Sequence, residues 1–535
     1  MPNQKKWNRL LGLTAAVGLL LGYEAAAAPR LPGFFTDNMV IQRDREVPVW
    51  GWADAGEAVV VAFADQSVEA IADASGAWRA TLPPMSASTN GRVFSVSSKR
   101  NPASDPILLA NVVVGDVWIC SGQSNMEWTL RRRIMNSRAE IAAADYPLIR
   151  HMKVPNNTAD LPLDDLTAAW QVSSPATVDN FSGVGYFFAR HLYRELGVPI
   201  GLIGSNWGGT RIEPWTPPEG FRSVPELAGM AARVDATLPS TEAGRMAYRE
   251  AFSAMREWIP LAEANVEKGL NPPAVPMFPA QGTGNREPTR IYNAMIHPLI
   301  PFAIRGAIWY QGESNGSEGI EYYHKKQALI GGWRTLWDQG DFPFYFVQLA
   351  NLGKPTDDPA GGDGYSRIRE AQRQSLAIPN TGMAVIIDIG EAGDIHPANK
   401  QDVGLRLALW AMGNEYGREN LVFSGPLFKT ASVEQGAIRV TFEHAGSGLM
   451  VGTKNGLDPV VENPEGDLTR FAIAGEDRQW HWADARIDGQ DSVIVSSPSV
   501  PAPVAVRYAF SHNPAGCNLY NREGLPASPF RTDDW

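Results

Sequence analysis

Three residues of this 535-residue chain carry the chemistry needed to activate a hydroxyl group for attack on an ester. Ser124 lies in a stretch of small and polar residues that follows an apolar run, whereas His396 lies before Pro397 and two positions after Asp394. A serine hydroxyl becomes a good nucleophile when a base removes its proton, and an imidazole that titrates near neutrality suits that task. A nearby carboxylate can orient the imidazole. The three residues therefore predict nucleophilic acyl transfer.

The hydrogen-bond donors that such a reaction needs are expected from neighbouring loops. Four apolar runs each end in a cluster of small and polar residues: 112–120, 200–204, 303–310 and 383–389. Ligands of an open parallel sheet bind beyond the carboxyl ends of its strands, so these loops are expected to converge. The backbone N–H groups of Ser124 and Gly209, with the side-chain amide of Gln311 or of Asn315, are the candidate donors to a developing oxyanion.

Metal chemistry is not expected, because the sequence contains no HExxH motif, no paired CxxC motif and no EF-hand loop. No cofactor is predicted either. Glu313 is interpreted as a structural carboxylate that caps or orients the loop Gly208–Arg211, and catalysis does not require it.

Strands that alternate with helices must position these loops. Between residues 111 and 418 five apolar strands are predicted: 112–120, 200–205, 303–310, 342–349 and 383–389. The clearest helix is 183–196, whose Val184, Phe188, Leu192 and Leu196 form one apolar stripe. Three more helices are expected at 322–337, 366–376 and 401–416. This alternation predicts a doubly wound parallel sheet, interrupted at 217–290 by a helical and Pro-rich insertion.

Both flanks of this domain have a β texture. Residues 29–110 contain short alternating runs separated by turn residues, which predicts a small β-sandwich. Residues 419–535 are again β-rich, with strands expected at 437–442, 492–496 and 504–508. They form either a separate terminal domain or one unit with the first β segment.

The N-terminus and the charge balance bear on location and partners. Residues 1–28 combine Lys5, Lys6 and Arg9 with an apolar run and a small-residue stretch, which predicts a signal peptide and an exported, periplasmic or secreted protein. The formal charge of −11 and the absence of a basic stripe argue against nucleic acid and membrane partners. Cys120 and Cys517 either form a disulfide or stay as thiols. The sequence carries no signal for an oligomeric state.

Several longer motifs resemble the sialate O-acetylesterase family, which belongs to the wider SGNH (GDSL-like) esterases. They are Trp118–Met126 (WICSGQSNM), Trp309–Asn315 (WYQGESN), Ile395–Pro397 (IHP) and two flanking stretches, Phe35–Arg43 and Gly524–Asp533. The resemblance implies a flavodoxin-like three-layer α/β/α hydrolase domain, removal of O-acetyl groups from carbohydrate, Ser124 as nucleophile and His396 as base. Relatives also include plant cell-wall acetylesterases that act on xylan or xyloglucan, so the sugar is not fixed.

The identity of the acid departs from the SGNH pattern, in which two residues separate the aspartate from the histidine. Here one residue lies between Asp394 and His396. Asp394 is the preferred orienting acid, Asp388 at a strand end is the competitor, and a backbone carbonyl is a third option.

The predicted function is therefore a carbohydrate O-acetylesterase that works through an acetyl-enzyme. A glycan-binding protein on a degenerate hydrolase scaffold and a lipase or thioesterase of the same superfamily are the alternatives. Among the 17 Trp residues, Trp128, Trp207 and Trp215 flank the strand-end loops and are predicted to form a sugar-binding rim. Three others are expected to pack in the interior: Trp118, Trp309 and Trp410.

Overall fold

The computed structural model describes residues 28–100, 106–279 and 284–535. The predicted signal peptide, residues 1–28, lies outside the described residues except for Ala28.

The first described part of the chain consists of short strands. They are β1 (Val40–Gln42), β2 (Val47–Trp52), β3 (Ala58–Phe63), β4 (Gln66–Ile71), β5 (Ala77–Leu82) and β6 (Ser88–Ser98). β2 pairs with β5, whereas β4, β3 and β6 form a second antiparallel sheet. Every second residue of β3 and of β5 is buried, so each strand turns one face inward.

Strand β7 (Ile107–Gly122) connects this part to the central sheet. Its first half pairs with β6 and β1, and its second half has a parallel partner on each side. The domain boundary predicted between residues 110 and 111 therefore falls within a continuous strand.

The central sheet contains six parallel strands and one antiparallel edge strand, in the order β9-β8-β10-β7-β11-β12-β13. The bounds are β8 (Tyr146–Lys153), β9 (Gln171–Ser173), β10 (Ile200–Asn206), β11 (Gly306–Tyr310), β12 (Phe344–Val347) and β13 (Thr381–Ala384). The five predicted strands take the order β10-β7-β11-β12-β13. Numbered along the chain among themselves, this order is 2-1-3-4-5, as in flavodoxin-like sheets. Strands β8 and β9 were not predicted and extend the sheet beyond β10.

Nine α-helices lie in the described part of the chain. They are α1 (Ser124–Glu127), α2 (Ser137–Ala142), α3 (Gly183–Leu196), α4 (Pro218–Arg222), α5 (Ala228–Asp235), α6 (Glu242–Glu267), α7 (Ile320–Trp337), α8 (Ser366–Gln374) and α9 (Lys400–Asn414). The predicted helix at 183–196 has these same bounds. It begins after Ser182, whose hydroxyl accepts the N–H of Gly185, and ends at Gly197, which adopts a positive φ of 67°.

Helices cover both faces of the central sheet. Side chains of β12 alternate: Phe344 meets Trp333 of α7, whereas the adjacent Tyr345 meets Trp410 of α9. On the α9 side, Trp118 of β7 packs edge-on against Phe188 of α3. A sheet that buries aromatic side chains on both faces gives three layers, as the sequence predicts.

The interruption at 217–290 contains α4, α5 and α6, and the described residues after α6, 268–279 and 284–289, form no helix or strand. Its apolar side chains form their own buried cluster, which includes Phe221, Leu227 and Val234 and also Ala328 of α7. The insertion therefore packs on the outside of the α7 layer.

The C-terminal strands form three further sheets: β14-β15-β21-β20, β17-β16-β23 and β19-β18-β22-β24. Their bounds are β14 (Leu427–Glu434), β15 (Ala437–Glu443), β16 (Leu449–Thr453), β17 (Val461–Glu462), β18 (Phe471–Ala474), β19 (Trp480–Trp482), β20 (Asp484–Ile487), β21 (Ser492–Ser496), β22 (Ala505–Tyr508), β23 (Leu519–Asn521) and β24 (Phe530–Arg531). Their buried side chains form a separate core cluster, whereas those of β1–β6 belong to the core of the central sheet. The two β parts therefore do not share one core.

Two open questions about side chains are answered by burial and bonding. Cys120 and Cys517 are both unpaired thiols. Trp118, Trp309 and Trp410 are buried in the core, as predicted.

No helix of the described segments has the length and apolar character to cross a membrane.

Candidate active site

The end of β7 presents Ser124 at the carboxyl edge of the sheet. Gly122 adopts a positive φ of 127°, and a Cβ there would lie only 2.2 Å from the carbonyl oxygen of Tyr310 on β11. Only glycine fits this approach, which lets the chain leave the strand and begin α1 two residues later. Ser124 is the first residue of α1 and is half-buried.

Ser124 and His396 meet across the site although 272 positions separate them in the chain. The imidazole Nε2 lies 2.9 Å from Ser124 Oγ, which is hydrogen-bonding distance. Asp394 Oδ1 accepts the backbone N–H of His396 at 2.8 Å and lies 3.3 Å from its Nδ1. The structure thus brings the three predicted residues together, and the single intervening residue allows the carboxylate to face the ring.

Asp388, the competing acid, lies in a different environment. Its two oxygens accept Nη1 and Nη2 of Arg406 at 2.6 and 2.8 Å, and its side chain is only 2% exposed. Tyr520 donates to the same carboxylate. Because these partners occupy both oxygens, Asp388 is part of a buried ion pair rather than a partner of His396.

A second carboxylate and an arginine support Asp394, and sequence reasoning missed both. Arg133 Nη1 donates to Asp394 Oδ2 at 2.6 Å, and its Nη2 donates to Glu391. Glu391 also accepts the backbone N–H of Ala398 at 2.8 Å. Arg133 and Glu391 therefore hold the loop on both sides of His396, at Asp394 and at Ala398. The run Arg131–Arg133 is visible in the sequence, but nothing in it reveals a partner more than 250 positions away.

The surroundings of His396 favour its neutral form. Burial lowers the pKa of the imidazole, the nearby Lys400 ammonium lowers it further, and Asp394 offsets part of both effects. The pKa of Asp394 is lowered by the hydrogen bond from the His396 backbone and then by Arg133. A neutral imidazole beside an ionised carboxylate is the state in which it can take a proton from Ser124.

The loop after β10 lies directly beside Ser124. A Cβ at Gly208 would lie 3.3 Å from Ser124 Cβ, and the N–H of Gly208 donates to Glu127 Oε2 at 2.8 Å. Gly209 adopts a positive φ of 74° and is exposed. Within the described part of the chain, the N–H groups of Ser124 and Gly209 have no hydrogen-bond acceptor. Both are therefore free to donate to a bound oxygen.

Gln311 and Asn315 are wrong as oxyanion donors. Both side chains are fully buried, and each amide group donates both of its hydrogens to acceptors within the protein. Gln311 Nε2 donates to the carbonyl of Thr210 and to Asn315 Oδ1 at 3.2 and 2.8 Å. Asn315 Nδ2 donates to Glu213 and Glu318 at 3.2 and 3.1 Å. These amides hold the loops behind the site instead of facing the substrate.

The interpretation of Glu313 also needs correction. It is not bonded to the loop Gly208–Arg211; its Oε1 accepts Nδ2 of Asn125 at 2.5 Å, and its other oxygen is buried without a partner among the described residues. Glu127 anchors the loop at Gly208 instead, and Glu213 pairs with Arg211. Burial raises the pKa of Glu313.

The predicted rim tryptophans differ in position. Trp128 stacks on the His396 ring with 4.0 Å between centroids, and it remains partly exposed. Trp207 is also partly exposed in the loop after β10. Trp215 is fully buried, donates its indole N–H to Thr210 and packs edge-on against Trp309. The prediction of Trp215 as a rim residue is therefore wrong, because it is a core side chain.

No group of three or more His, Cys, Asp or Glu side chains that could hold a metal ion occurs within residues 28–100, 106–279 and 284–535. The acidic groups closest to His396, Asp394 and Glu391, are paired with Arg133.

Comparison with known proteins shows the family of the chain. A family model described as a carbohydrate esterase, sialic acid-specific acetylesterase, matches residues 114–240 and 281–410. A crystal structure of a carbohydrate acetylesterase from Xanthomonas citri is 38% identical with a TM-score of 0.77, covering 95% of this chain and 100% of that one. Sialate O-acetylesterase of Mus musculus is 30% identical, and that of Homo sapiens is 29% identical; the matches cover 97% of this chain and 97% and 96% of those proteins.

The chain is thus a carbohydrate O-acetylesterase. It belongs to the sialic acid-specific acetylesterase family of carbohydrate esterases, which confirms the resemblance found in its motifs.

Proposed function

We propose that the chain removes O-acetyl groups from carbohydrate as an SGNH-type serine esterase, through an acetyl-enzyme. The observation that carries this proposal is the 2.9 Å contact between Ser124 Oγ and His396 Nε2 at the carboxyl edge of the sheet. The contact gives the nucleophile a base within reach, and Asp394 with Arg133 holds the ring in place.

In the first half of the reaction His396 Nε2 takes the proton of Ser124 while Oγ bonds to the acetyl carbon. The carbonyl oxygen becomes an oxyanion, which accepts from the backbone N–H groups of Ser124 and Gly209. When the intermediate collapses, the bond from the acetyl carbon to the sugar oxygen breaks. His396 returns its proton to that oxygen, and the sugar leaves as an alcohol.

In the second half His396 takes a proton from water, whose oxygen bonds to the acetyl carbon. The bond to Ser124 Oγ then breaks, and His396 returns its proton to the serine oxygen. Acetic acid leaves and loses its remaining proton to water, which gives acetate. Asp394 stabilises the imidazolium in both halves without itself taking the proton.

The proposed substrate is an acetylated glycan, held at a rim that includes Trp128 and Trp207. Aromatic faces pack well against the C–H surfaces of sugar rings, and both side chains are partly exposed beside the site. The candidate substrates are O-acetylated sialic acid, xylan and xyloglucan.

We also propose that residues 1–28 direct export, so that the mature protein begins at or just after Ala28. N-terminal sequencing of protein recovered outside the cytoplasm tests this, and retention of Met1 there would refute it.

The experiment that tests the mechanism compares Ser124→Ala with Ser121→Ala. Ser121 is buried three residues upstream, and its hydroxyl has no partner among the described residues, so its loss should be harmless. We expect Ser124→Ala to lose acetate release from an acetylated glycan and from 4-nitrophenyl acetate, while Ser121→Ala retains both. Mass spectrometry of quenched wild-type enzyme should find the acetyl group on the peptide that contains Ser124. Turnover by Ser124→Ala would overturn the proposal.

Substrate class is tested by two panels. A series of 4-nitrophenyl esters of increasing chain length should give its highest kcat/KM with acetate, whereas a lipase or thioesterase would prefer longer acyl chains. Acetate release from acetylated xylan, xyloglucan oligosaccharides, pectin and O-acetyl sialic acid then identifies the glycan. Stoichiometric binding without turnover on every member of that panel would refute the esterase assignment.

A further inference from the structure

The single turn of α1 that follows the nucleophile carries two polar side chains besides Ser124. Asn125 and Glu127 point to different loops of the site, and neither has a role in the proton transfers above. Their contacts connect the nucleophile to the base on one side and to the oxyanion donor on the other.

Asn125 reaches the loop that carries the base. Its Nδ2 donates to the carbonyl oxygen of Ile395, the residue before His396, at 2.9 Å. The other Nδ2 hydrogen goes to Glu313 Oε1 at 2.5 Å, and Oδ1 accepts from the Lys400 ammonium. Asn125 and Lys400 are both buried, so the bond between them is shielded from water.

The carbonyl of Ile395 fixes which end of the Asn125 amide faces which group. A backbone carbonyl can only accept, so Nδ2 must face Ile395. The other Nδ2 hydrogen then goes to Glu313 Oε1, and Oδ1 accepts from Lys400 Nζ. A flipped amide would place Oδ1 against the Ile395 carbonyl, which is two acceptors in contact, and would release the base loop.

Glu127 reaches the loop that carries the candidate oxyanion donor. Its Oε2 accepts the N–H of Gly208 at 2.8 Å, and its Oε1 accepts Nδ2 of Asn156 at 3.2 Å. The ammonium of Lys153 lies 3.8 Å from Oε1. Because Gly208 is held, the next N–H in the chain, that of Gly209, is kept beside Ser124.

We propose that Asn125 and Glu127 are positioning residues for the esterase reaction: Asn125 acts through His396, and Glu127 acts through the N–H of Gly209. This proposal rests on the proposed function, since it assigns no chemistry if Ser124 is not the nucleophile. It predicts that the two residues fail in different ways when they are replaced.

The first test measures kcat and KM for Asn125→Ala and Glu127→Ala with 4-nitrophenyl acetate. A displacement of about 1 Å in a catalytic group can cost about 100-fold in rate, so we expect a loss of that order in kcat for each variant. KM should stay within about twofold, because neither side chain is at the rim. Glu127→Gln should recover most of the loss of Glu127→Ala, since its amide oxygen can still accept the N–H of Gly208.

The second test combines each replacement with His396→Ala. Residues that act through one catalytic group are not additive in kinetics, so Asn125→Ala should cost almost nothing further in the His396→Ala background. Glu127→Ala should still cost its full factor there, because oxyanion stabilisation persists without the base. A purely structural role would give the same multiplicative loss for both residues.

Matched controls make the same kinds of hydrogen bond outside the loops of the site. Asn521 is fully buried and donates Nδ2 to two carbonyl oxygens, those of Ser424 and His444. Asp165 accepts a glycine N–H, that of Gly33, at 2.7 Å. Asn521→Ala and Asp165→Ala should have wild-type kcat.

The outcomes separate this proposal from the proposed function. Activity in Ser124→Ala refutes the function. Inactive Ser124→Ala with wild-type kcat in Asn125→Ala or Glu127→Ala overturns the positioning proposal alone, as does a full additional loss for Asn125→Ala in the His396→Ala background. If Asn125→Ala does not fold, Asn125→Asp tests the same step: its carboxylate can still accept from Lys400 but has no N–H for the Ile395 carbonyl, and unchanged kcat in that variant would overturn the proposal.

Discussion

Replacing Asp388 and Asp394 by Asn should separate a structural carboxylate from a functional one. Asp388 is 2% exposed and its partner Arg406 is 6% exposed, so Asp388→Asn leaves a buried guanidinium without its counter-charge. Breaking a buried ion pair in this way costs about 3–5 kcal/mol. Asp394 is 31% exposed, and its contacts with Arg133 and His396 lie near the surface. Its replacement should cost at most about 1 kcal/mol of stability.

The expected effects on activity run the other way. Asp394 faces His396 Nδ1, and replacing the orienting carboxylate of a Ser-His-Asp triad by an amide lowers kcat about 10,000-fold through the wrong imidazole tautomer. Asp388→Asn should have wild-type kcat in the folded protein, because its carboxylate does not contact the imidazole. Urea denaturation measures the change in stability of each variant. Initial rates with 4-nitrophenyl acetate, at a temperature where both variants are folded, measure the change in kcat.

Each variant is the control for the other. The reasoning is refuted if folded Asp388→Asn loses activity while Asp394→Asn keeps it, since Asp388 would then be the acid. It is also refuted if Asp394→Asn is fully active, because a backbone carbonyl would then suffice to orient His396.

Three further perturbations have defined outcomes. Burial and the Lys400 charge lower the pKa of His396 from its ordinary value of 6.5, so kcat/KM should fall on acidification with a midpoint below 6.5 in a pH–rate profile; a midpoint above it would contradict this electrostatic assignment. Trp128→Ala should raise KM for the acetylated glycan with little change in stability, whereas Trp215→Ala should cost about 3–5 kcal/mol in denaturation, because it empties a buried site. Cys120 and Cys517 should both react with a maleimide in denatured, unreduced protein, and the fully buried Cys120 should not react in folded protein; a disulfide-linked peptide would refute this.

Much of the fold is predictable because its strands are buried on both faces. Runs such as Phe344–Val347 are uniformly apolar, and polar residues directly follow them at one edge of the sheet. Strand β8 was missed because Tyr146–Lys153 contains Arg150 and His151, which resemble surface residues. In the structure both are buried, and Arg150 bonds to carbonyl oxygens of Asn38 and Asn111. Such distant partners leave no local pattern in the sequence.

The candidate site was predictable by residue type but not by hydrogen-bond direction. Ser124, His396 and Asp394 have chemistry that few other residues could supply, and the structure brings them together. Gln311 and Asn315 have equally suitable chemistry, but their amides point to each other and to the loops behind them. The sequence identifies which hydrogen-bond donors lie at the end of a strand. It does not identify which of them already donate to acceptors within the protein.

The single residue between Asp394 and His396 couples the position of the acid to that of the base. Because the spacing is so short, Asp394 Oδ1 accepts the backbone N–H of His396 as well as facing its ring, so acid and base move as one turn of the loop. That turn could rotate as a unit away from Ser124, since its internal contacts do not fix it to the sheet. Arg133 and Asn125 supply the missing attachment, because each donates to this loop from the segment that begins at the nucleophile. Hydrogen bonds from Asn125 and Arg133 thus hold the base next to the serine.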